Sequence, residues 1–443
     1  MRKLTRAALL PEVARVRALP VALVLSLSLL PVTSAMTQPT SIPHAATVSA
    51  QATALGFSRT RLDVLTAALE RGVEANEIPG AVMIVLRNGA LVYSANLGYR
   101  DGAEHLPMAK DTRFALASMT KPIISVAAMT LVEQGRLGLA DPVSKYIPEF
   151  ANLRVGREVI DPATGNHRLE LDAMVRQPTI QDLMRHTSGL TYPPPFGHSL
   201  VQQQYGEAAL LDFGQTNAEF VAKLVMLPLA YQPGSTFEYG FSTDVLGRIV
   251  EIVSGQSLDA FLKARVTDPI GMADTSFTIP DMDRFAHAPQ PTPLPPAFPR
   301  RFSGGGGLVG TASDYARFAQ MLLNGGELDG VRILSPHSVE MMRNNQLPPN
   351  VAQGGYDLGF AQPSEAMGQG FGLGFAVRLK PGRNPLPGSV GDYYWAGSSG
   401  TYFWIDPREK LVVVLLTASP KFREHYRALA RNLVYQALVA PTP

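Results

Sequence analysis

Apolar runs with the character of strands stand at both ends of this chain, and a long stretch patterned for helices separates them. Near the start, runs 81–86 and 90–97 flank Arg87-Asn88-Gly89. Asn-Gly readily takes the positive φ angles of a tight turn, so the pair reads as a hairpin. Near the other end, 371–379, 402–405 and 411–417 read as strands, the last two joined by Asp406-Pro407-Arg408-Glu409. A closing helix is expected over 423–438. Hairpin-joined strands at both termini imply one antiparallel sheet completed by the two chain ends. The middle, about 120–285, carries helix signals. A helix over 123–133 stops at Gly135, Thr179 caps a short one reaching His186, one over 244–253 stops at Ser254-Gly255, and Ser257 caps another.

The expected fold class is therefore α/β (α+β): an antiparallel sheet flanked by helices, with an inserted, mostly helical lobe. The α/β lobe takes 58–119 and 286–443, and the helical lobe takes 120–285. Leu62, Leu65, Leu69 and Val73 repeat at helical spacing and predict a first helix. The Pro-rich stretch 288–301 marks the return crossing. With 443 residues, 46% hydrophobic and 17% charged, the chain can bury a large core. It has no Cys, which excludes a disulfide, a zinc–thiolate site, a catalytic Cys and a lipidated Cys.

The first 35 residues read separately. Arg2, Lys3, Arg6, Arg15 and Arg17 precede an apolar run over 18–30 and then Thr33-Ser34-Ala35. This is the pattern of a secretory signal peptide cleaved near Ala35. The alternative is an uncleaved anchor, but the run falls short of the ~20 residues a spanning helix needs, and Pro20 interrupts it. Residues 36–57, rich in Thr, Ser, Ala and Pro, read as a flexible lead-in. Removing 1–35 takes away five basic residues and one acidic one, moving the formal net charge from +2 to −2. The expectation is an exported protein, periplasmic or secreted, with no membrane span after cleavage and no charge argument for nucleic acid.

Chemistry enters with Ser118-Met119-Thr120-Lys121. None of the other eight lysines has a Ser three residues before it. At a helix start, i and i+3 share a face, so hydroxyl and ammonium become neighbours, and the positive end of the helix favours an alkoxide. Alone, the tetrad also fits an ordinary N-cap Ser with a first-turn Lys. Two further stretches change that balance: Tyr239-Gly240-Phe241 just before a helix, and Trp395-Ala396-Gly397-Ser398 in the C-terminal strand region.

This motif order resembles the class C β-lactamases and their relatives in the serine β-lactamase-like and penicillin-binding-protein-like superfamily. Residues 183–190 (Leu-Met-Arg-His-Thr-Ser-Gly-Leu), glycines 304–307 and Phe371-Gly372-Leu373-Gly374 extend the likeness over nearly all of 58–440. It is nearest to the family VIII carboxylesterases, whose third motif is commonly Trp-x-Gly.

The resemblance implies a two-lobed fold with the site between lobes, and acyl transfer without metal or organic cofactor. Ser118 is then the nucleophile, Lys121 and Tyr239 the proton relay, and the backbone N–H groups of Ser118 and Ser398 the oxyanion hole. A free Tyr titrates near ~10, so Tyr239 needs a nearby cation to act as a base, and Lys121 is the expected one. Trp395, Gly397 and Phe241 would bind substrate. Trp395 stands where the lactamases have Lys, and Phe241 where they have Asn. Both departures point to a small-molecule ester with neutral, apolar groups. A β-lactamase or D-amino-acid peptidase, and a catalytically silent binding or sensor module, are the competing readings. The sequence leaves the oligomeric state open.

Other signals carry less. Gly305 to Gly310 fits G-x-G-x-x-G, but no apolar strand precedes it, so a tight turn against the active site is the better reading. G-x-S-x-G is absent, which disfavours an α/β-hydrolase. His186 reads as structural rather than as a general base, and the remaining His residues lack metal-ligand spacing.

Overall fold

In the computed structural model, residues 42–288 and 296–440 are described. The expected signal segment, residues 36–41 of the lead-in and part of the Pro-rich crossing lie outside them. Nine strands form one antiparallel sheet. Eight make its path: β1 (His44–Val48), β2 (Gly80–Arg87), β3 (Ala90–Asp101), β4 (Gln369–Phe371), β5 (Ala376–Arg378), β6 (Tyr393–Ala396), β7 (Tyr402–Asp406) and β8 (Leu411–Thr417). Their order across the sheet is β1-β3-β2-β8-β7-β6-β5-β4, and Leu106–Pro107 pairs with β3 off this path. The chain ends meet at β2 and β8, with Ala81 opposite Thr417 and Arg87 opposite Leu411. The expected hairpin is present: Asn88 and Gly89 both have positive φ, 53° and 74°, as the tight turn requires.

Helix α1 (Arg59–Glu74) and the C-terminal helix, Arg423–Ala437, pack on each other. α1 lies on the sheet face that carries Tyr93, whose hydroxyl meets Thr66. A later helix, α5 (Ala312–Leu323), packs over β2, β7 and β8. Every residue of β8 is buried, as a central strand covered on both faces must be.

Between the sheet's two parts run α2 (Thr120–Glu133), α3 (Ile180–Met184) and α4 (Ser242–Ser254), and the chain closes on α6 (Arg423–Ala437). α3 starts on a capping box built by Thr179 and Asp182. α4 ends at Gly255 in the left-handed conformation. α2 packs against α4, and Thr120 through Leu131 are all buried. A helix buried all round has no polar stripe. That is why its sequence pattern places the start three residues late, at Ile123.

Three expectations change. The run 371–379 is not one strand: the chain turns after Phe371, and β4 and β5 pair back on each other, Phe371 opposite Ala376. The lead-in is not wholly irregular, because His44–Val48 pairs along β3 as the sheet's edge. Strand pairing there is backbone hydrogen bonding against an open edge, which needs no apolar pattern. The helical middle also holds a two-stranded hairpin, Arg154–Ile160 with His167–Ala173.

Candidate active site

Ser118 lies in a single 3₁₀ turn, Ala117–Met119, that runs into α2. Ala117 before it has φ +46°, a conformation that costs a non-glycine residue energy and persists only where its surroundings fix it. One turn on, Lys121 is 1% exposed, and its Nζ donates to three oxygens: Ser118 Oγ at 3.3 Å, Tyr192 Oη at 3.1 Å and the Gly305 carbonyl at 2.6 Å. Burial lowers the Lys121 pKa to about 7, with the Asp244 carboxylate pulling the other way. Near neutral pH a substantial share of Lys121 is thus a free amine with a lone pair. The glycine run forms the turn that presents the Gly305 carbonyl to Lys121.

Tyr239 sits on the loop between the short strand Thr236–Phe237 and α4. Its hydroxyl accepts from Trp395 Nε1 at 3.3 Å and lies near enough to Ser118 for that hydroxyl to act on its titration, while Lys121 Nζ stands 4.5 Å from its ring centre. The expected lowering of its pKa by Lys121 does not occur. Burial dominates and pushes the phenol well above its ordinary value, and the lowering by Ser118, Trp395 and Arg427 does not offset it. Lys121 is not among the groups that act on its titration. Tyr239 therefore rests protonated, as a donor.

Trp395 is the last residue but one of β6, with its ring on Tyr239, and Gly397 and Ser398 follow the strand's end. Gly397 has a packing reason to be Gly. A Cβ there would stand 2.3 Å from the Leu116 carbonyl and 2.2 Å from Thr401 Oγ1, so only Gly lets the strand end close on the nucleophile's turn. Ser118, Tyr239, Trp395, Gly397 and Ser398 line one open cleft of about 160 Å³. The first N–H groups of a helix have no partner within it, which leaves the Ser118 amide free to serve an oxyanion.

Phe241 is the exception. It is 1% exposed, sits at the start of α4 and does not line the cleft. Its ring packs on Tyr192 and Phe220, with centres 4.7 and 5.2 Å apart, and the Arg301 guanidinium lies over it. Tyr192, whose hydroxyl reaches Lys121, occupies the position beside the lysine, so the substrate-binding role expected of Phe241 is withdrawn. His186 is buried and held neutral, its ring centre 4.7 Å from that of Tyr239, as a wall rather than a base. Its loop is tied to α4 by Ser188 Oγ and Ser242 Oγ, 2.9 Å apart.

Sequence reasoning missed Tyr192, Tyr356 and Arg427. Tyr192 stands two residues after the 183–190 motif and could have been taken with it. Tyr356 lines the cleft from a segment with no periodic pattern. Arg427 lay in view, on a helix whose arginines recur at every fourth position. Among the described residues, no group of three or more His, Cys, Asp or Glu is gathered as metal ligands would be.

The family model described as Beta-lactamase matches residues 65–437, which spans the whole of this site. The chain belongs to the Beta-lactamase family. Protein Rv1367c of Mycobacterium tuberculosis is 35% identical, over 83% of this chain and 99% of that one. Esterase EstB of Burkholderia gladioli is 31% identical, over 80% of this chain and 89% of its own length. Among solved structures, EstCE1, described as a hydrolase with promiscuous acyltransferase activity, superposes with a TM-score of 0.70 at 27% identity, over 85% of this chain and 99% of that one. Within the Beta-lactamase family the sheet and helices described above are the β-lactamase-like fold, and the protein is a serine hydrolase.

Proposed function

We propose that the protein is a carboxylesterase of the family VIII type, working through an acyl-enzyme on Ser118. The observation that carries this is the gathering of Lys121, Ser118, Tyr239 and Trp395, in which Lys121 donates to Ser118 and the Trp395 indole, at the third-motif position, donates to the phenol. The likeness to an esterase supports the same reading. Lys121 as free amine takes the Ser118 proton, and Oγ attacks the ester carbonyl. The Ser118 and Ser398 N–H groups hold the developing oxyanion. The Lys121–Tyr239 pair, with Tyr239 as donor, returns a proton to the leaving alkoxide. Water then adds to the acyl-enzyme with Lys121 again taking the proton, and Ser118 leaves protonated.

An alcohol in place of that water would give transesterification, a second reading favoured by the acyltransferase activity described for EstCE1. An amide-directed reading is disfavoured by Trp395, which puts an indole at the third-motif position, although Arg423 and Arg427 also line the cleft. We also propose that the protein is exported after cleavage near Ala35.

The test is a side-by-side assay of short-chain p-nitrophenyl esters and nitrocefin, with and without methanol as acceptor. Ester hydrolysis well above nitrocefin turnover is expected. Ser118→Ala should abolish it, along with covalent labelling by a phosphonate. Labelling that survives in Ser118→Ala, or nitrocefin turned over as fast as esters, overturns the reading.

A further inference from the structure

Arg423, Arg427 and Arg431 recur every fourth residue along α6 and so share one face of it. Arg431 is buried and ion-paired to Asp392, away from the cleft, whereas Arg423 and Arg427 line it. Arg427 is 8% exposed, and its fork is engaged on two sides. One arm pairs with Glu424. Nη2 donates to the carbonyl of Gly397 and, at 3.4 Å, to that of Thr401. Taking a guanidinium out of water is unfavourable unless its donors are matched. Here Nη1 is matched by Glu424 and Nη2 by carbonyls of the segment between β6 and β7, while Nε is buried without a partner.

Geometry gives that contact a consequence. The peptide joining Gly397 to Ser398 is trans, so its C=O and N–H point in opposite directions. Holding the Gly397 carbonyl on α6 therefore turns the Ser398 N–H away from α6, toward the side on which Gly397 abuts Leu116, two residues before Ser118. The Gly400 N–H donates to the same carbonyl at 3.1 Å. A carbonyl that accepts two hydrogen bonds, one from a cation, polarises its peptide and strengthens the donor at the other end. The charge also faces Tyr239 and pulls its titration downward against burial. A cation thus returns, from the C-terminal helix, to a site whose third motif has exchanged Lys for Trp395.

We propose that Arg427 is a positioning residue for acyl transfer, holding and polarising the Gly397–Ser398 peptide so that its N–H is aimed at the oxyanion. This rests on the reading of Ser118 as nucleophile. Arg427 exchanges no proton and need not touch the substrate.

Infrared spectroscopy of the acyl-enzyme reads the assignment directly. The full chain is acylated with a slowly hydrolysed p-nitrophenyl ester carrying an isotope-labelled carbonyl, and kcat and KM are measured for p-nitrophenyl butyrate. Stronger hydrogen bonds to the carbonyl lower its stretching frequency. In Arg427→Met the band should move to higher frequency and kcat should fall about ten- to a hundredfold, less than for outright removal of an oxyanion donor. KM should stay within about threefold, because the contact matters most in the transition state. Arg427→Lys, which keeps the charge but not the fork, should lie between, and it carries the test by itself where the Met variant does not fold. A folded variant with an unmoved band and unchanged kcat overturns this proposal alone. Failure of the unsubstituted protein to form any adduct on Ser118 overturns the nucleophile reading, and this proposal with it.

Discussion

Lys121 illustrates how one buried residue sets the working range of a site. Its three contacts are one hydroxyl that would lose a proton, one hydroxyl that keeps its own, and one carbonyl that can only accept. Because burial lowers its pKa to about 7, the reactive free amine grows as pH rises through that value. Below it, kcat/KM for a p-nitrophenyl ester should fall about tenfold per pH unit, and above it the rate should level off, reporting the free enzyme. Lys121→Arg, protonated at every accessible pH, should lose about 10²–10⁴-fold and lose the rise as well. A wild-type profile flat from pH 5 to 9 would remove Lys121 as the base. The serine–lysine spacing was legible in the sequence because i and i+3 meet on any helix. The protonation states were not, since they depend on burial by Tyr192, Tyr239 and the glycine turn, none of them near Lys121 in sequence. The expectation that Lys121 would tune Tyr239 failed for that reason.

At the scale of elements, α4 shows where motif reading misplaces a side chain. Tyr239 and Phe241 are two residues apart, yet one faces the cleft and the other faces inward, because Phe241 already caps α4 while Tyr239 is still on the loop before it. Alignment places a residue along the chain and does not say which way its side chain points. Phe241→Ala should therefore act on stability. Loss of a fully buried Phe costs about 3–5 kcal/mol, and here it also uncovers a buried guanidinium, that of Arg301. Urea unfolding at a temperature where the variant is still folded measures the first effect. The ratio of ester to nitrocefin turnover should stay as in the unsubstituted protein. A changed ratio with unchanged stability would restore Phe241 to the pocket. The elements themselves were mostly legible: the Asn88-Gly89 hairpin, β7, β8, α1 and α6 all lie where pattern and turn chemistry put them. Of the misses, β1 and the Arg154–Ala173 hairpin are partly exposed strands held by pairing rather than by an apolar face, and β4 and β5 are buried but only three residues each, too short for a period to show the turn between them.

Across the described residues, the sheet separates β1 from the strand that carries the chemistry. β1 lies at one edge, and β6, which carries Trp395, is the sixth strand along the order from it. Most of β1's side chains are exposed, so what it contributes is backbone pairing from His44–Leu97 to Val48–Tyr93, not core. Cleavage near Ala35, as proposed, would leave this strand whole. A chain beginning at Met36 should then melt and hydrolyse esters as the full chain does. A chain beginning at Gln51 lacks β1 and leaves the edge of β3 open, and an unpaired edge is a template for pairing with another molecule. It should melt a few degrees lower, since a loss of about 1 kcal/mol shifts a chain of this size by roughly 2–4 °C or less. It should also self-associate with rising concentration in light scattering. Its kcat per folded molecule should be unchanged, because four strands paired with one another stand between β1 and β6. If the shortened chain stays monomeric at every concentration and melts with the full one, β1 is only an appendage. If it folds but loses kcat, the edge and the site are coupled across the sheet, and the separation argued from strand order fails.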